Sequence, residues 1–513
     1  MPPSEGTVYQ THCYFRVTYM ALPSCYFETE SAEIMGGGTP SQNGAFNKLP
    51  IELNKEIASH LDDHKDIANF NAICKSTSNA IIGDNNSFWR AKFCKDFALP
   101  PNMTNAMLRA IYIERCRWLR RFVNMKTMRY FQFVRGHTYK EKIIIRILTD
   151  LINQSFTGVQ TGVGPNCPNM LRLKEFVRDS RLLLGGRRPP PPELYENYAV
   201  NESLTAIRIM ATHFLLGDTI QPGAWFAMDD AQRAVYSPAI DEPLYVGHQN
   251  NTVKLDWFLQ CLNFFRYYMT MSEASDFHDA LHELDISEQP SAWDGALKPG
   301  SHALGNNFLG TYAYLRDFDF THFRRMIRQD RFSGQMLNDL HIDEGNIQAT
   351  NTHIQSLYLD FSANLSKLHW PQIFENHLHS LRPALPSQAR AQHSQESAPV
   401  SYDSFRFEGD GDDFEEHYNV SGWLNPLPPQ AGIPGWQRFT MMKHFEDDLK
   451  HVRDGNLCAY EGLVLPGGKI IVGRWWYASE HERTEYGNEF GGPFIFWAVE
   501  PEEKTKGRMD EDG

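Results

Sequence analysis

LCAYEGLVLPGGKIIVGRWWY (residues 457–477) is the stretch that decides the fold of the C-terminal part of this chain. Two largely apolar runs, 457–465 and 469–477, flank the sequence Pro466-Gly467-Gly468. Proline fixes φ at a turn, and glycine adopts the positive φ that hairpin turns require. The stretch therefore predicts a β-hairpin.

The neighbouring stretches extend this hairpin into a sheet. Trp436–Phe445 precedes it, Pro493–Val499 follows it, and Phe308–Leu315 has the same short alternating texture. Sequential strands can be joined as a meander, and such sheets often close into barrels because closure removes open edges. We expect an antiparallel β-rich region over 296–500. Within it, 383–413 is predicted to be a flexible insertion because Pro, Ser, Gln and acidic residues dominate it.

The rest of the chain has mainly helical periodicity. Leu255–Met271 predicts a buried helix, because four polar residues interrupt it and it cannot span a bilayer core of about 30 Å. Helical regions over 99–184 and 196–295, together with the β-rich region, define an α+β fold class. The remaining segments are a predicted flexible leader (1–44), a Pro-rich linker (185–195) and an acidic tail (501–513).

Residues 45–98 form a small helical unit of their own. Leu49-Pro50-Ile51-Glu52-Leu53 begins a helix well, since Pro at the first turn wastes no hydrogen bond. Ile57 and Leu61 then share a face with Leu53, and Asp66 is the predicted N-cap of a second helix. About 50 residues in short helices bury little surface, so exposed Leu and Ile side chains in this unit predict an interface.

The order of residues in this unit resembles the F-box family. It matches Leu-Pro-x-Glu-Leu, a later Ile and Leu, Asp-Ile, Phe, Cys-Lys and Phe-Trp-Arg, over about a tenth of the chain. The resemblance implies a three-helix unit that binds the adaptor subunit of an SCF ubiquitin ligase and, through it, the cullin scaffold. It also implies a non-catalytic subunit that recruits a target protein. The adaptor-binding residues carried over are Leu49, Pro50, Leu53, Ile57, Leu61 and Trp89.

The C-terminal part is similar to the corresponding region of fungal F-box proteins. The similar stretches are 422–430, 433–438, 460–468 and 473–476. Gly-Thr-Tyr at 310–312 and the final Phe-Trp strand further resemble a calycin-type barrel. Aromatic and Arg residues dominate binding hot spots, so the candidate substrate-binding residues are Trp436, Arg474, Trp475, Trp476 and Trp497. Alternatively, these aromatics are barrel core and Arg474 pairs with Glu461.

Composition excludes several other functions. The net charge is −14 and no segment gathers enough Lys and Arg to neutralise a run of phosphates, so we expect neither nucleic-acid nor membrane binding. The eight cysteines form no CxxC pair, and the N-terminus lacks the pattern of a secretory signal. We therefore expect a cytoplasmic or nuclear protein with reduced thiols and no cofactor.

Sequence motifs of catalysis are missing as well. The chain has no Gly-x-Ser-x-Gly elbow, no P-loop and no Gly-x-Gly-x-x-Gly after a strand. His278 and His282 have the spacing of two metal ligands on a helix, but an exposed charged helix face gives the same letters, and we predict no metal. Two alternatives stay open: a ligand-binding or scaffolding protein that acts outside a ligase, and an enzyme with a barrel-mouth site near residues 461–476.

Overall fold

The computed structural model describes residues 44–123, 139–158, 167–180, 202–216, 228–236, 242–247, 250–270, 276–313, 354–361, 404–413, 416–446, 457–477 and 491–499. Within these ranges the chain forms ten α-helices, a two-stranded ribbon and a closed eight-stranded barrel. The α+β class is therefore confirmed. The predicted leader lies outside the described residues except for Gly44, and the Pro-rich linker and the acidic tail lie outside them entirely.

The helices and strands follow in chain order, with the ribbon between the eighth and ninth helices. The helices are α1 Ile51–Ser59, α2 His64–Asn71, α3 Lys75–Asp96, α4 Asn105–Val123, α5 Tyr139–Asn153, α6 Pro168–Asp179, α7 Glu202–Thr212, α8 Met228–Tyr236, α9 Leu255–Thr270 and α10 Asp276–Glu283. The strands are β1 Tyr245–Val246, β2 Thr252–Val253, β3 Asn307–Tyr312, β4 Gln355–Asp360, β5 Phe405–Asp413, β6 Glu416–Pro426, β7 Gln437–His444, β8 Cys458–Val464, β9 Ile470–Tyr477 and β10 Gly491–Ala498.

The first three helices occupy the segment in which a helical unit was predicted. Helix α2 begins three residues earlier than expected, because the side chain of Asp63, not that of Asp66, accepts the N-cap hydrogen bond from the Lys65 amide at 2.9 Å. Helix α3 is bent at Gly83–Asn86, where three consecutive non-glycine residues have positive φ. The bend divides α3 into two helical halves, and the second carries Phe88, Trp89 and Phe93 into the core.

The barrel is an up-and-down meander. Strands β3 to β10 each pair antiparallel with the next, and β10 pairs back onto β3, where Phe494 lies opposite Tyr312. The predicted hairpin is confirmed as β8 and β9, with Cys458 opposite Tyr477. The predicted flexible insertion is wrong in part, because 405–413 forms strand β5 between β4 and β6; residues 383–403 lie outside the described residues.

Aromatic rings fill the middle of the barrel. The Phe407 and Phe439 rings are stacked with centroids 5.3 Å apart, and Phe494 lies edge-on to Tyr460 at 5.0 Å. Gly462 lies beside the Phe494 ring, and a Cβ added there would come within 2.7 Å of it. Side chains therefore fill the middle of the barrel at these positions, as is usual for an eight-stranded barrel.

The helical region covers one side of the barrel wall. Helix α9 is buried almost along its whole length and packs on β9 and β10. Polar contacts add to this packing, since the Tyr245 hydroxyl donates to the Gly462 carbonyl at 2.6 Å and the Trp497 indole donates to the Glu288 carbonyl at 2.7 Å. One continuous apolar core therefore joins the helices to the outer barrel wall, and a second core fills the barrel.

Candidate functional site

Helix α1 leaves its large apolar side chains exposed and buries only Asn54 and Ala58, while Glu52 and Glu56 are exposed as well. The side chains of Leu53 and Ile57 are 51% and 38% exposed. On the opposite face Asn54 is fully buried, and its amide donates to the Phe46 carbonyl at 3.1 Å and to the Ser76 hydroxyl at 3.0 Å. In an amphipathic helix the large apolar side chains normally face the core. The buried amide fixes this orientation, so the exposed apolar face is a built feature of the unit.

The other predicted docking residues are placed less uniformly. Pro50 is exposed beside the start of α1, while Leu49 and Leu61 are half-buried. Trp89 is only 3% exposed and packs against Phe88 and Tyr112, with the Arg109 guanidinium 5.5 Å from its ring. Trp89 therefore belongs to the core between α3 and α4, as a residue that packs the end of the motif would, and its part in adaptor binding stays a prediction.

Three exposed apolar residues of the same unit escaped the sequence analysis: Ile51, Ile73 and Ile82. With Leu53 and Ile57 they make five of the nine large apolar side chains that are exposed in the described part of the chain. Isolated exposed apolar residues are normal, but a concentration of five within 51–82 is unusual for one small unit. The variable position of the Leu-Pro-x-Glu-Leu pattern, occupied by Ile51, was the available signal. We call Ile51, Leu53, Ile57, Ile73 and Ile82 the apolar face of the N-terminal unit.

The tryptophans proposed for substrate binding are buried. The Trp436 indole donates to the Ile433 carbonyl at 2.8 Å. The Trp497 indole donates to the Glu288 carbonyl where the helical region covers the barrel wall. Trp476 is 1% exposed, and Trp475 lies in the barrel core, where it donates to the Ala313 carbonyl at 3.1 Å. This burial favours the alternative that these residues serve as packing, and none of them offers a surface to a large partner.

Arg474 belongs to a buried charge cluster on the outer wall of the barrel. Its guanidinium donates to Glu461 at 2.8 Å, and Arg438 donates to the other carboxylate oxygen. Tyr245 covers the cluster from the helical side, with its ring 3.9 Å from the Arg438 guanidinium. Burial alone would raise the pKa of Glu461, but the two guanidiniums hold it below its usual value. The cluster therefore lies in the junction with the helices and not at a barrel mouth.

A second polar cluster lies inside the barrel at the end where β7 finishes. The Lys443 ammonium is buried, donates to the Asp413 carboxylate and to Gln355 at 3.3 Å, and lies 4.1 Å from the Tyr418 ring centroid. Burial, aided by the nearby Asp413, raises the pKa of the Tyr418 hydroxyl well above its usual value. Gln355 is 1% exposed, and its Nε2 has no hydrogen-bond partner among the described residues. This barrel end therefore holds a paired charge and one spare amide donor, a combination that sequence reasoning missed.

The part of the chain that the structure describes contains no group of three or more His, Cys, Asp or Glu side chains placed to hold a metal ion. It also contains no helix that combines the length and hydropathy needed to cross a bilayer.

Comparisons with known proteins give no family assignment. No family model matches the chain, and neither the curated proteins nor the solved structures gave a significant match. What the molecule does must therefore be inferred from its own geometry and from the motifs of its sequence.

Proposed function

We propose that the protein is an F-box substrate receptor, which docks the adaptor of an SCF ubiquitin ligase through the apolar face of its N-terminal unit. The observation that carries the proposal is the exposure of Leu53 and Ile57 on helix α1, whose buried side is formed by Asn54 and Ala58. Exposed apolar side chains gain free energy when a partner covers them, roughly 25 cal/mol for each Å² removed from water. The class of partner, an SCF adaptor subunit, is proposed from the F-box-like order of residues at 49–97.

The rest of the molecule then has two tasks in this proposal. The helices hold the barrel at a fixed position relative to the docking face, because one apolar core runs from α1–α3 to the outer barrel wall. The barrel, which we interpret as calycin-like, recognises a target protein. The adaptor links the receptor to the cullin scaffold in the cytoplasm or nucleus, and the chemistry of ubiquitin transfer takes place on other subunits.

The docking proposal is tested by charging the apolar face without disturbing the fold. Leu53→Glu and Ile57→Glu change exposed positions, and Leu171→Glu is a matched control because Leu171 is equally exposed on a different helix, at 54%. We expect the purified adaptor to bind the wild type and the Leu171→Glu variant, and to lose at least tenfold in affinity for the two α1 variants. Equal binding by all four proteins contradicts the proposal.

A second candidate function is supported by the Lys443 cluster. A ligand-binding or scaffolding protein that works outside a ligase would use the spare Gln355 donor at the barrel end, where a buried amide without a partner costs about 1–3 kcal/mol. The two functions predict different dependence on α1. If the abundance of a target falls only when Leu53 and Ile57 are intact, the receptor function is supported and the second candidate is not.

A further inference from the structure

Helix α10 carries a pair of histidines, His278 and His282, that plays no part in the proposed adaptor docking. The two imidazole rings are stacked, with centroids 4.1 Å apart and planes inclined by 28°. Phe277 and Leu281 on the neighbouring face are buried, which anchors the helix. The side chain of His278 is 13% exposed and that of His282 is exposed, so both rings are held at the surface of a fixed helical turn.

The hydrogen bonds of the two rings determine where their protons are. His278 Nδ1 lies 2.9 Å from Asp279 Oδ1, and His282 Nδ1 lies 2.7 Å from the carbonyl oxygen of His278. A carboxylate and a carbonyl can only accept, so both Nδ1 atoms must donate. In the neutral rings the lone pairs are therefore on the two Nε2 atoms, neither of which has a hydrogen-bond partner in the described part of the chain.

The hydrogen bonds at Nδ1 are those that metal-ligating imidazoles make. A metal-ligating histidine almost always donates its other ring N–H to a carboxylate or a backbone carbonyl, which fixes the tautomer and raises the basicity of the ligand. Residues four apart on a helix face the same side, as two ligands of one ion must. An exposed charged helix face would explain the residue types, but it does not require both Nδ1 atoms to be held by acceptors. The stacked rings must turn about their side-chain torsions to bring both Nε2 atoms onto one ion.

We propose that His278 and His282 form a two-imidazole site for a divalent transition-metal ion. Two nitrogen ligands select ions that accept imidazole, and affinity should follow the general order in which Cu²⁺ exceeds Ni²⁺ and Zn²⁺. With no third protein ligand among the described residues, water completes the coordination. Such a site exchanges its ion readily, and binding weakens as the pH falls because both imidazoles must be neutral.

The test is calorimetric titration of the full chain with CuCl₂ and with NiCl₂, and the comparison of variants isolates this pair from every other ligand. His278→Ala and His282→Ala each remove one ligand. His417→Ala is the matched control, because His417 Nδ1 also bonds a carboxylate, that of Asp412 at 3.1 Å. We expect the wild type and His417→Ala to share one site that both helix variants lack. Asp279→Asn should weaken that site about tenfold.

Two further results decide the outcome. Circular dichroism must show unchanged helix content in the variants, since a loss of binding through unfolding would not support the site. Electron paramagnetic resonance of the Cu²⁺ complex should show two nitrogen ligands in the wild type and in His417→Ala, and this signal should be missing from His282→Ala. Equal stoichiometry in the wild type and in both helix variants overturns the proposal.

Discussion

Two regions of the molecule reverse the usual placement of residues, and they do so in opposite ways. On helix α1 the apolar side chains of Leu53 and Ile57 face solvent. In the barrel wall and interior, Glu461 and Lys443 are buried. The buried charges all have partners within the chain, whereas the apolar face of the N-terminal unit has none among the described residues. The buried charges of the barrel are therefore satisfied within the chain, whereas the apolar side chains of α1 are not covered by any of the described residues.

The largest loss of stability is expected from removing the carboxylate that pairs the two buried arginines of the barrel wall. Glu461→Ala leaves Arg438 and Arg474 buried without their shared carboxylate, and removing one partner of a buried ion pair costs about 3–5 kcal/mol. Urea unfolding followed by tryptophan fluorescence measures the change. Glu408→Ala, which removes a carboxylate from a more accessible position of the barrel, should shift the midpoint little. Equal shifts would show that the charge cluster is not essential.

His213 is a buried polar side chain that, unlike the buried charges of the barrel, lacks a partner for one of its ring nitrogens among the described residues. His213 Nε2 has no hydrogen-bond partner among the described residues, its ring is packed against Trp293, and burial lowers its pKa to about 4. In the unfolded chain the imidazole takes up a proton below its usual pKa of about 6.5, whereas in the folded protein it stays neutral until about pH 4. The stability that the neutral ring contributes is therefore fully present above pH 6.5 and is lost as the pH falls towards 4.

The lowered pKa corresponds to about 3 kcal/mol at 1.36 kcal/mol per unit. We expect the free energy of unfolding of the wild type to fall by this amount relative to that of His213→Phe between pH 7 and pH 4. Because both proteins share all other titrating groups, the difference between their profiles isolates His213. Parallel profiles would show that His213 is not the group responsible.

A smaller effect is expected from the residue that fixes the orientation of α1. Asn54→Ala removes two hydrogen bonds and leaves the Phe46 carbonyl with only the Leu49 amide, at 3.4 Å, which should destabilise the protein by about 1–3 kcal/mol. Asn69→Ala is the control, because Asn69 is an exposed helical asparagine. Thermal unfolding measures both. If Asn54→Ala and Asn69→Ala unfold at the same temperature, the orientation of α1 does not depend on the buried amide.

The smallest effect is expected at the apolar face itself. Leu53→Glu should change the free energy of unfolding by less than about 0.5 kcal/mol, because substitutions at exposed positions usually do. A loss of several kcal/mol, measured by urea unfolding, would mean that the face is covered within the molecule. The barrel, whose buried charges are paired, would then no longer differ from α1, because the apolar side chains of α1 would be covered too.

The hairpin was predictable because its signal is local. Pro466-Gly467-Gly468 and the two flanking runs specify β8 and β9 without knowledge of any other part of the chain. The exposed residues of α1 were also indicated, since Leu53 and Ile57 share a face at helical spacing. That Asn54 would be buried was not predictable, because its partners Phe46 and Ser76 are provided by neighbouring elements of the tertiary structure.

Strand β5 shows why sequence patterns can fail inside a barrel. Its positions 408–413 are Glu, Gly and Asp, a composition typical of a flexible segment. The glycines are required by packing, because a Cβ at Gly411 would come within 2.7 Å of the Tyr418 ring on the neighbouring strand. The apolar group that fills this part of the interior therefore belongs to a different strand. The candidate Lys443 cluster was missed for the same reason, since its members are brought together only by closure of the barrel.

Closure between β3 and β10 also has a kinetic consequence. Phe308 lies opposite Ala498, so the barrel cannot close until almost two hundred residues after β3 have been synthesised. Contacts between distant parts of a chain form slowly, whereas the contacts within α1–α3 are local and form early. The N-terminal unit can therefore fold while the barrel strands still have open edges. Under the proposed function, the adaptor would find its docking surface complete before the barrel has closed.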